Sequence, residues 1–208
     1  MKKLILALFL FSWTINAQNF KKEILLDQNK DTITNDLFLS KVKEKDIWYK
    51  VEIKDSVQTV TLVDLNKYGN LSNTLKNNII SQIELLTNVR ITSSEIIVIN
   101  FFIDEKVINQ KPCIDNYVSD NKYLSFFKKE KNKEVKQFFI SDKSYFYENK
   151  IVIRDKNGTI ENLVFSDALT CGNYVIIFPN NNYVMKHGEY KQEVILDIIK
   201  DYKKNNDK

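Results

Sequence analysis

The chain has 208 residues, 43% of them hydrophobic, with only 2 Pro and 4 Gly, a composition that excludes a disordered or low-complexity polypeptide. Its 31 basic and 27 acidic residues give a formal charge of +4; without Lys2 and Lys3 the balance is 29 against 27, or +2. Nothing so balanced predicts a nucleic-acid-binding protein.

Met1-Lys2-Lys3 leads into an apolar run from Leu4 to Trp13, and Thr14-Ile15-Asn16-Ala17 then passes from polar to small residues. That order predicts a signal peptide over 1–17, with Gln18 as the new N-terminus. The apolar run is shorter than the ~20 residues of a spanning helix. No Cys follows the cut to accept a lipid. The Asn-Ala-Gln junction resembles signal peptides of the Bacteroidetes, which implies a periplasmic or secreted protein. No later apolar stretch is long enough to span, so no membrane contact is expected after cleavage.

Residues 18–67 read as an N-terminal β extension. Ile47 to Ile53 and Val57 to Val63 alternate inward and outward residues around the turn Lys54-Asp55-Ser56, which predicts an antiparallel hairpin. Leu37 to Val42 is a candidate third strand, and Trp48 is expected to pack in the core or between elements. Tyr68-Gly69-Asn70 breaks the strand pattern. Ser72 or Asn70 can then cap a helix to about Asn88, whose Leu71, Leu75, Ile79, Ile83 and Leu86 recur at helical spacing. Glu95 to Phe102 is a nearly continuous run of β-branched and aromatic residues, the pattern of a strand covered on both faces.

After an irregular loop that reaches Cys113, a helix is predicted from about Asn116 to Lys131, followed by a strand over Val135–Ile140. The charges from Lys128 to Glu134 alternate in sign, as on a solvated helix end. Helix, strand, helix, strand implies an α/β unit with a parallel crossover. Ile151–Ile153, the turn Asp155-Lys156-Asn157-Gly158 and Ile160–Phe165 read as a hairpin. Tyr174–Phe178 and Tyr183–His187 form two strands around an Asn-rich turn, and a helix follows over about Lys191–Tyr202.

The order of these elements resembles the thioredoxin-like fold over about residues 72–204. The resemblance is carried by Ile96-Ile-Val-Ile-Asn-Phe-Phe102 before the Cys loop and by Val175-Ile-Ile-Phe-Pro-Asn-Asn-Asn-Tyr-Val184, followed by Gly188 and a helix. It implies an α/β fold: a thioredoxin-like mixed sheet flanked by helices over 68–208, carrying an N-terminal antiparallel β extension. The two-Cys motif of such oxidoreductases is missing, because Cys113 stands alone in Lys111-Pro112-Cys113-Ile114-Asp115. Cys171-Gly172-Asn173 occupies the place where the family carries a cis-proline. The family geometry brings the loops holding Cys113 and Cys171 face to face. In an oxidising compartment that implies a disulfide, with a working redox pair, free thiols or intermolecular bonds as the alternatives.

Other chemistry is sparse. His187 is the sole histidine, so no multi-histidine metal site can be assembled, and a packed or surface imidazole is expected. There is no glycine-rich phosphate loop, dinucleotide fingerprint or Ca²⁺ loop, so no cofactor is expected. Tyr145-Phe146-Tyr147 reads as core or loop packing. The sequence thus points to a binding or structural module whose partner is an envelope or extracellular protein, not nucleic acid. Two alternatives stand beside it. One is an atypical thiol–disulfide oxidoreductase using Cys113 and Cys171, and the other is an adhesin or inhibitor that offers its N-terminal strands as a sheet edge.

Overall fold

The computed structural model describes residues 22–103, 112–129, 132–169 and 171–206. The leader expected at 1–17 and most of the loop before Cys113 lie outside the described residues. The chain divides into two compact units, residues 1–63 and 64–208.

The first unit holds β1 (Lys22–Leu26), α1 (Asn35–Lys41), β2 (Ile47–Lys54) and β3 (Val57–Asp64), with strand order β1-β3-β2. β2 and β3 form the expected hairpin. Asp55 and Ser56 between them both have positive φ (50° and 64°), the primed-turn geometry whose twist matches paired strands. The third strand is not the expected segment, since β1 pairs with β3 in parallel, from Lys22 opposite Val57 to Leu26 opposite Thr61.

Leu37–Val42 instead belongs to α1 and its C-cap. The helix contains no β-branched residue, Thr34 Oγ1 accepts from Leu37 N–H at its start, and Asp36 and Lys41 suit its dipole. Its Phe38 is buried with Ile47, Val60 and Leu62. Trp48, expected to be packed, is 50% exposed and stacks on Tyr49. Ile47 turns toward α1, so the pleat sends Trp48 to the opposite face.

The second unit contains β4 (Asn66–Asn70), α2 (Asn73–Thr87), β5 (Ile96–Ile103), α3 (Ile114–Val118), α4 (Asn121–Phe127) and β6 (Val135–Ser141). It continues with β7 (Val152–Arg154), α5 (Thr159–Val164), β8 (Cys171–Ile177), β9 (Asn182–Lys186) and α6 (Gln192–Asn206). The six strands form one mixed sheet in the order β4-β9-β8-β5-β6-β7. β5, β6 and β7 run parallel, whereas β8 is antiparallel to both β5 and β9.

Tyr68-Gly69-Asn70, read as a break, is instead the end of β4, paired with β9. Gly69 permits the pairing because a Cβ there would lie 2.9 Å from the Tyr183 ring. α2 starts as expected, with Ser72 Oγ accepting from Leu75 N–H, and ends on Asn88 in the left-handed region.

The single helix expected at 116–131 is two. Asp120 is extended, and its carboxylate caps the second by accepting from Tyr123 N–H at 3.1 Å. The hairpin expected at 151–165 is also absent: β7 pairs in parallel with β6, and residues 159–164 are helical. The fully buried Asp155 carboxylate accepts from the backbone N–H of Thr159, Ile160 and Glu161 at 3.0, 2.7 and 3.1 Å. Asn157-Gly158 does bring a positive φ, 66° at Gly158, but it opens a helix rather than closing a hairpin.

β5 is covered on both faces, as its composition predicts. Ile97, Ile99 and Phe101 pack with Ile79 and Ile83 of α2 and Ile160 of α5. Ile96, Val98 and Phe102 pack with Ile114 of α3 and with Ile195 and Ile199 of α6. Full burial of such a side chain contributes about 1.5–3 kcal/mol. The arrangement is therefore a mixed sheet flanked by helices, with β5 at its centre.

Lys76 of α2 is buried at one end of the sheet, where its ammonium donates to the carbonyls of Phe178 and Pro179 at 3.0 and 2.9 Å. Desolvation holds its pKa below the usual lysine value. Among the described residues, no helix is long and apolar enough to cross a membrane.

Candidate functional site

The two cysteines meet at one end of the central strands. Cys171 begins β8 opposite Ile103, the last residue of β5. Cys113 lies at the start of α3, immediately before Ile114. Their α-carbons are 5.8 Å apart and their sulfurs are at bonding distance, closing a disulfide across 58 positions of sequence. This is the pairing that the sequence resemblance implied. Cys171 is 2% exposed and adopts a φ of 71°, whereas Cys113 is half-buried.

The disulfide forms part of the wall of a cleft of about 620 Å³. The rest comes from Asn116 and Tyr117 of α3, Asp120 at the head of α4, and the segment Glu189–Glu193 that enters α6. Tyr117 and Tyr190 pack against each other with ring centroids 4.8 Å apart, and Tyr190 meets Tyr174 of β8 at the same distance. Gly172 is required beneath them. A Cβ at that position would lie 2.8 Å from Tyr117 Oη and 3.0 Å from Tyr190 Cε1.

Under this aromatic wall sits Asn100, fully buried in the middle of β5. Its Oδ1 accepts from Tyr190 Oη at 2.6 Å and from Tyr123 Oη at 3.2 Å, and its Nδ2 donates to the Phe138 carbonyl at 3.1 Å. Burial pushes the Tyr190 and Tyr123 phenols well above their ordinary value, and Tyr174 up to about 12. They therefore remain neutral hydrogen-bonding groups.

Asn173, also fully buried, organises the connection into β8. Its Oδ1 accepts from Leu169 and Gly188 N–H, and its Nδ2 donates to the Leu169 and Phe101 carbonyls. On the other side of α3, the Tyr147 hydroxyl donates to the Asp115 carboxylate. Burial first, then that bond and charge, raises the Tyr147 pKa to about 12.

The cleft is acidic, with Asp120, Glu189 and Glu193 set against Lys191. Glu193 is also engaged by Lys122 at 2.5 Å. Gln192 begins α6 and is 7% exposed, and its amide nitrogen is buried with no hydrogen-bond acceptor among the described residues. No group of three or more His, Cys, Asp or Glu among the described residues could hold a metal ion.

The remaining residues singled out by sequence lie elsewhere. His187 is 1% exposed, with Nδ1 2.8 Å from the Asp167 carbonyl oxygen and Nε2 2.9 Å from Met185 Sδ. Tyr145 and Tyr147 pack against the core as expected, whereas Phe146 is exposed beneath the Arg154 guanidinium. Sequence reasoning missed Asn100, Asn173, Tyr117, Tyr190 and Gln192. Only Asn100 carried a signal: it is the one polar residue inside Ile96–Phe102.

No protein-family model matches the chain, and no curated protein matches it. Among solved structures, it is similar to the pneumococcal exposed lipoprotein thioredoxin (Etrx1) of Streptococcus pneumoniae. The identity is 12%, the match covers 52% of this chain and 86% of that one, and the TM-score is 0.36. It is also similar to a DsbF homologue from Corynebacterium diphtheriae, at 9% identity over 52% of this chain and 72% of the other, with a TM-score of 0.34.

Proposed function

We propose that this chain is an extracytoplasmic binding module in which Cys113 and Cys171 act as a structural staple. Residues 1–17 serve as its export signal and 68–208 as its thioredoxin-like domain. Its partner is an envelope or extracellular protein that presents a basic, hydrogen-bonding segment to the cleft. The observation that carries this reading is the setting of the sulfurs. Cys171 is 2% exposed, and the cleft beside it sets Asp120, Glu189 and Glu193 against Lys191, with Lys122 pairing Glu193 from outside. An acidic, low-dielectric surrounding disfavours the thiolate that redox exchange requires. The α3 helix behind Cys113 is only 5 residues long, too short to offer much dipole stabilisation. The Gln192 amide, in the lining of the cleft and without an acceptor among the described residues, supports a ligand that accepts a hydrogen bond there.

An insulin-reduction assay together with a glutathione-referenced reduction potential tests the reading. A structural staple gives no turnover and a potential below about −300 mV. Turnover that disappears in Cys113→Ser would instead establish the alternative, a thiol–disulfide oxidoreductase that uses Cys113 and Cys171.

A further inference from the structure

The three-stranded sheet of the first unit ends on β2, whose outer edge is paired with no strand among the described residues. The two-residue turn at Asp55-Ser56 makes Lys54 and Val57 a hydrogen-bonded pair. Alternation from that pair aims the N–H and C=O groups of Tyr49, Val51 and Ile53 away from β3. Their side chains are 37%, 46% and 58% exposed, so one face of this edge is apolar as well as open. On the opposite face Lys50 and Glu52 form an ion pair at 3.1 Å. Proline and an inward-pointing charge, two of the devices that keep edge strands apart, are missing from Ile47–Lys54.

The strand is complementary to itself in one register. Consider a two-fold axis through Val51, perpendicular to the sheet, so that two copies of β2 run antiparallel. Lys50 then falls opposite the second copy's Glu52, Tyr49 opposite its Ile53, and Trp48 opposite its Lys54. Val51 meets its own counterpart as a hydrogen-bonded pair. Lys50 and Glu52 occupy the non-hydrogen-bonded positions, where side chains approach most closely. Sliding the register by two residues sets Lys50 against Lys50 in one direction and Glu52 against Glu52 in the other. Sliding by one residue is forbidden, because the two-fold keeps each side chain on its own face. Charge therefore disfavours both neighbouring registers, and a slide by four pairs only the last few residues of the strand. In the central register the two ion pairs merge into one four-charge cluster across the seam.

We propose that the protein self-associates through β2, joining two three-stranded sheets into one six-stranded sheet about a two-fold axis. The occupant of the open edge is a second copy of this chain.

Sedimentation equilibrium on the purified protein tests this. The wild type is expected to show a concentration-dependent monomer–dimer equilibrium. Lys50→Glu and Glu52→Lys, each alone, turn both cross-seam pairs into like charges and should raise the dissociation constant at least about tenfold. An equimolar mixture of the two variants restores opposite charges at both positions and should associate as the wild type does. Circular dichroism verifies that each variant is folded, and the mixing experiment itself requires both to be. A wild type that is monomeric throughout, single reversals that associate like the wild type, or a mixture that stays monomeric would each overturn the proposal.

Discussion

Removing the disulfide is the most direct perturbation of the second unit. Cys113 and Cys171 close a loop across 58 positions, and in the chain-entropy model a loop of that length restricts the unfolded state by about 4 kcal/mol. For a unit the size of residues 64–208, that corresponds to a fall in Tm of about 10–15 °C. Alanine is the appropriate replacement at both positions, because a serine hydroxyl at Cys171, 2% exposed, would add a desolvation cost of its own. The assay is thermal unfolding by circular dichroism on the Cys113→Ala/Cys171→Ala variant, alongside the wild type under a strong reductant. Both should lose stability to a similar degree, since both release the same loop. Two free thiols in native, unreduced protein would refute the reasoning, and so would a double variant with the Tm of the wild type.

Three further outcomes follow from buried residues of the second unit. Asn100→Ala leaves the Tyr123 and Tyr190 hydroxyls and the Phe138 carbonyl without their partner. It should cost about 3 kcal/mol in urea unfolding, and a loss under about 1 kcal/mol would mean that the network carries little. Gly172→Ala drives a methyl group against Tyr117 and Tyr190, with an expected cost of about 1–3 kcal/mol, and unchanged tyrosine near-UV dichroism would contradict that contact. His187 is held below its ordinary pKa by burial, partly offset by its bond to the Asp167 carbonyl, with Lys67 also lowering it and the Asp167 and Asp64 charges raising it. The native state therefore binds fewer protons than the unfolded chain once pH falls through about 6.5. Stability is full above that value and declines below it, at no more than about 1.4 kcal/mol per pH unit, until the folded pKa is passed. His187→Leu should flatten this slope, and an identical slope in the variant would assign it to another group.

How much of this was legible in the sequence depended on whether local pattern or distant contact decided each segment. β5 could be read because its burial on both faces imposes an apolar run that no exposed segment would tolerate. α2 could be read because its stripe and its Ser72 cap agree. Leu37–Val42 and Ile160–Phe165 were misread for one shared reason. Each is a short apolar run, whose period cannot separate strand from helix, and the arbiter in each case was a cap supplied from upstream. Thr34 plays that part for α1, and the Asp155 carboxylate, three donors deep, plays it for α5. The cleft was illegible beyond its two sulfurs. Tyr117, Asn100, Tyr190 and Gln192 come from three separate stretches of chain, and only the sheet register sets them side by side.

That register also explains why the staple and the polar network belong together. Asn100 pairs with Tyr174 and Ile103 pairs with Cys171, so both features hang on the same β5–β8 ladder. The disulfide fixes the start of α3 to the end of that ladder, and the Tyr190 hydroxyl ties the entry into α6 to its middle. The two walls of the cleft are thus anchored at two places to one pair of largely buried strands. A wall held in this way loses little conformational freedom when a ligand arrives, and so preserves binding affinity. Redox exchange makes the opposite demand: the sulfur bond must open and one thiol must reach a second protein. Here that opening would free the start of α3 from the end of β8, and the half-buried Cys113, not the buried Cys171, is the sulfur that an external thiol could reach. On the binding role proposed above, the same covalent bond holds the cleft in shape for its ligand.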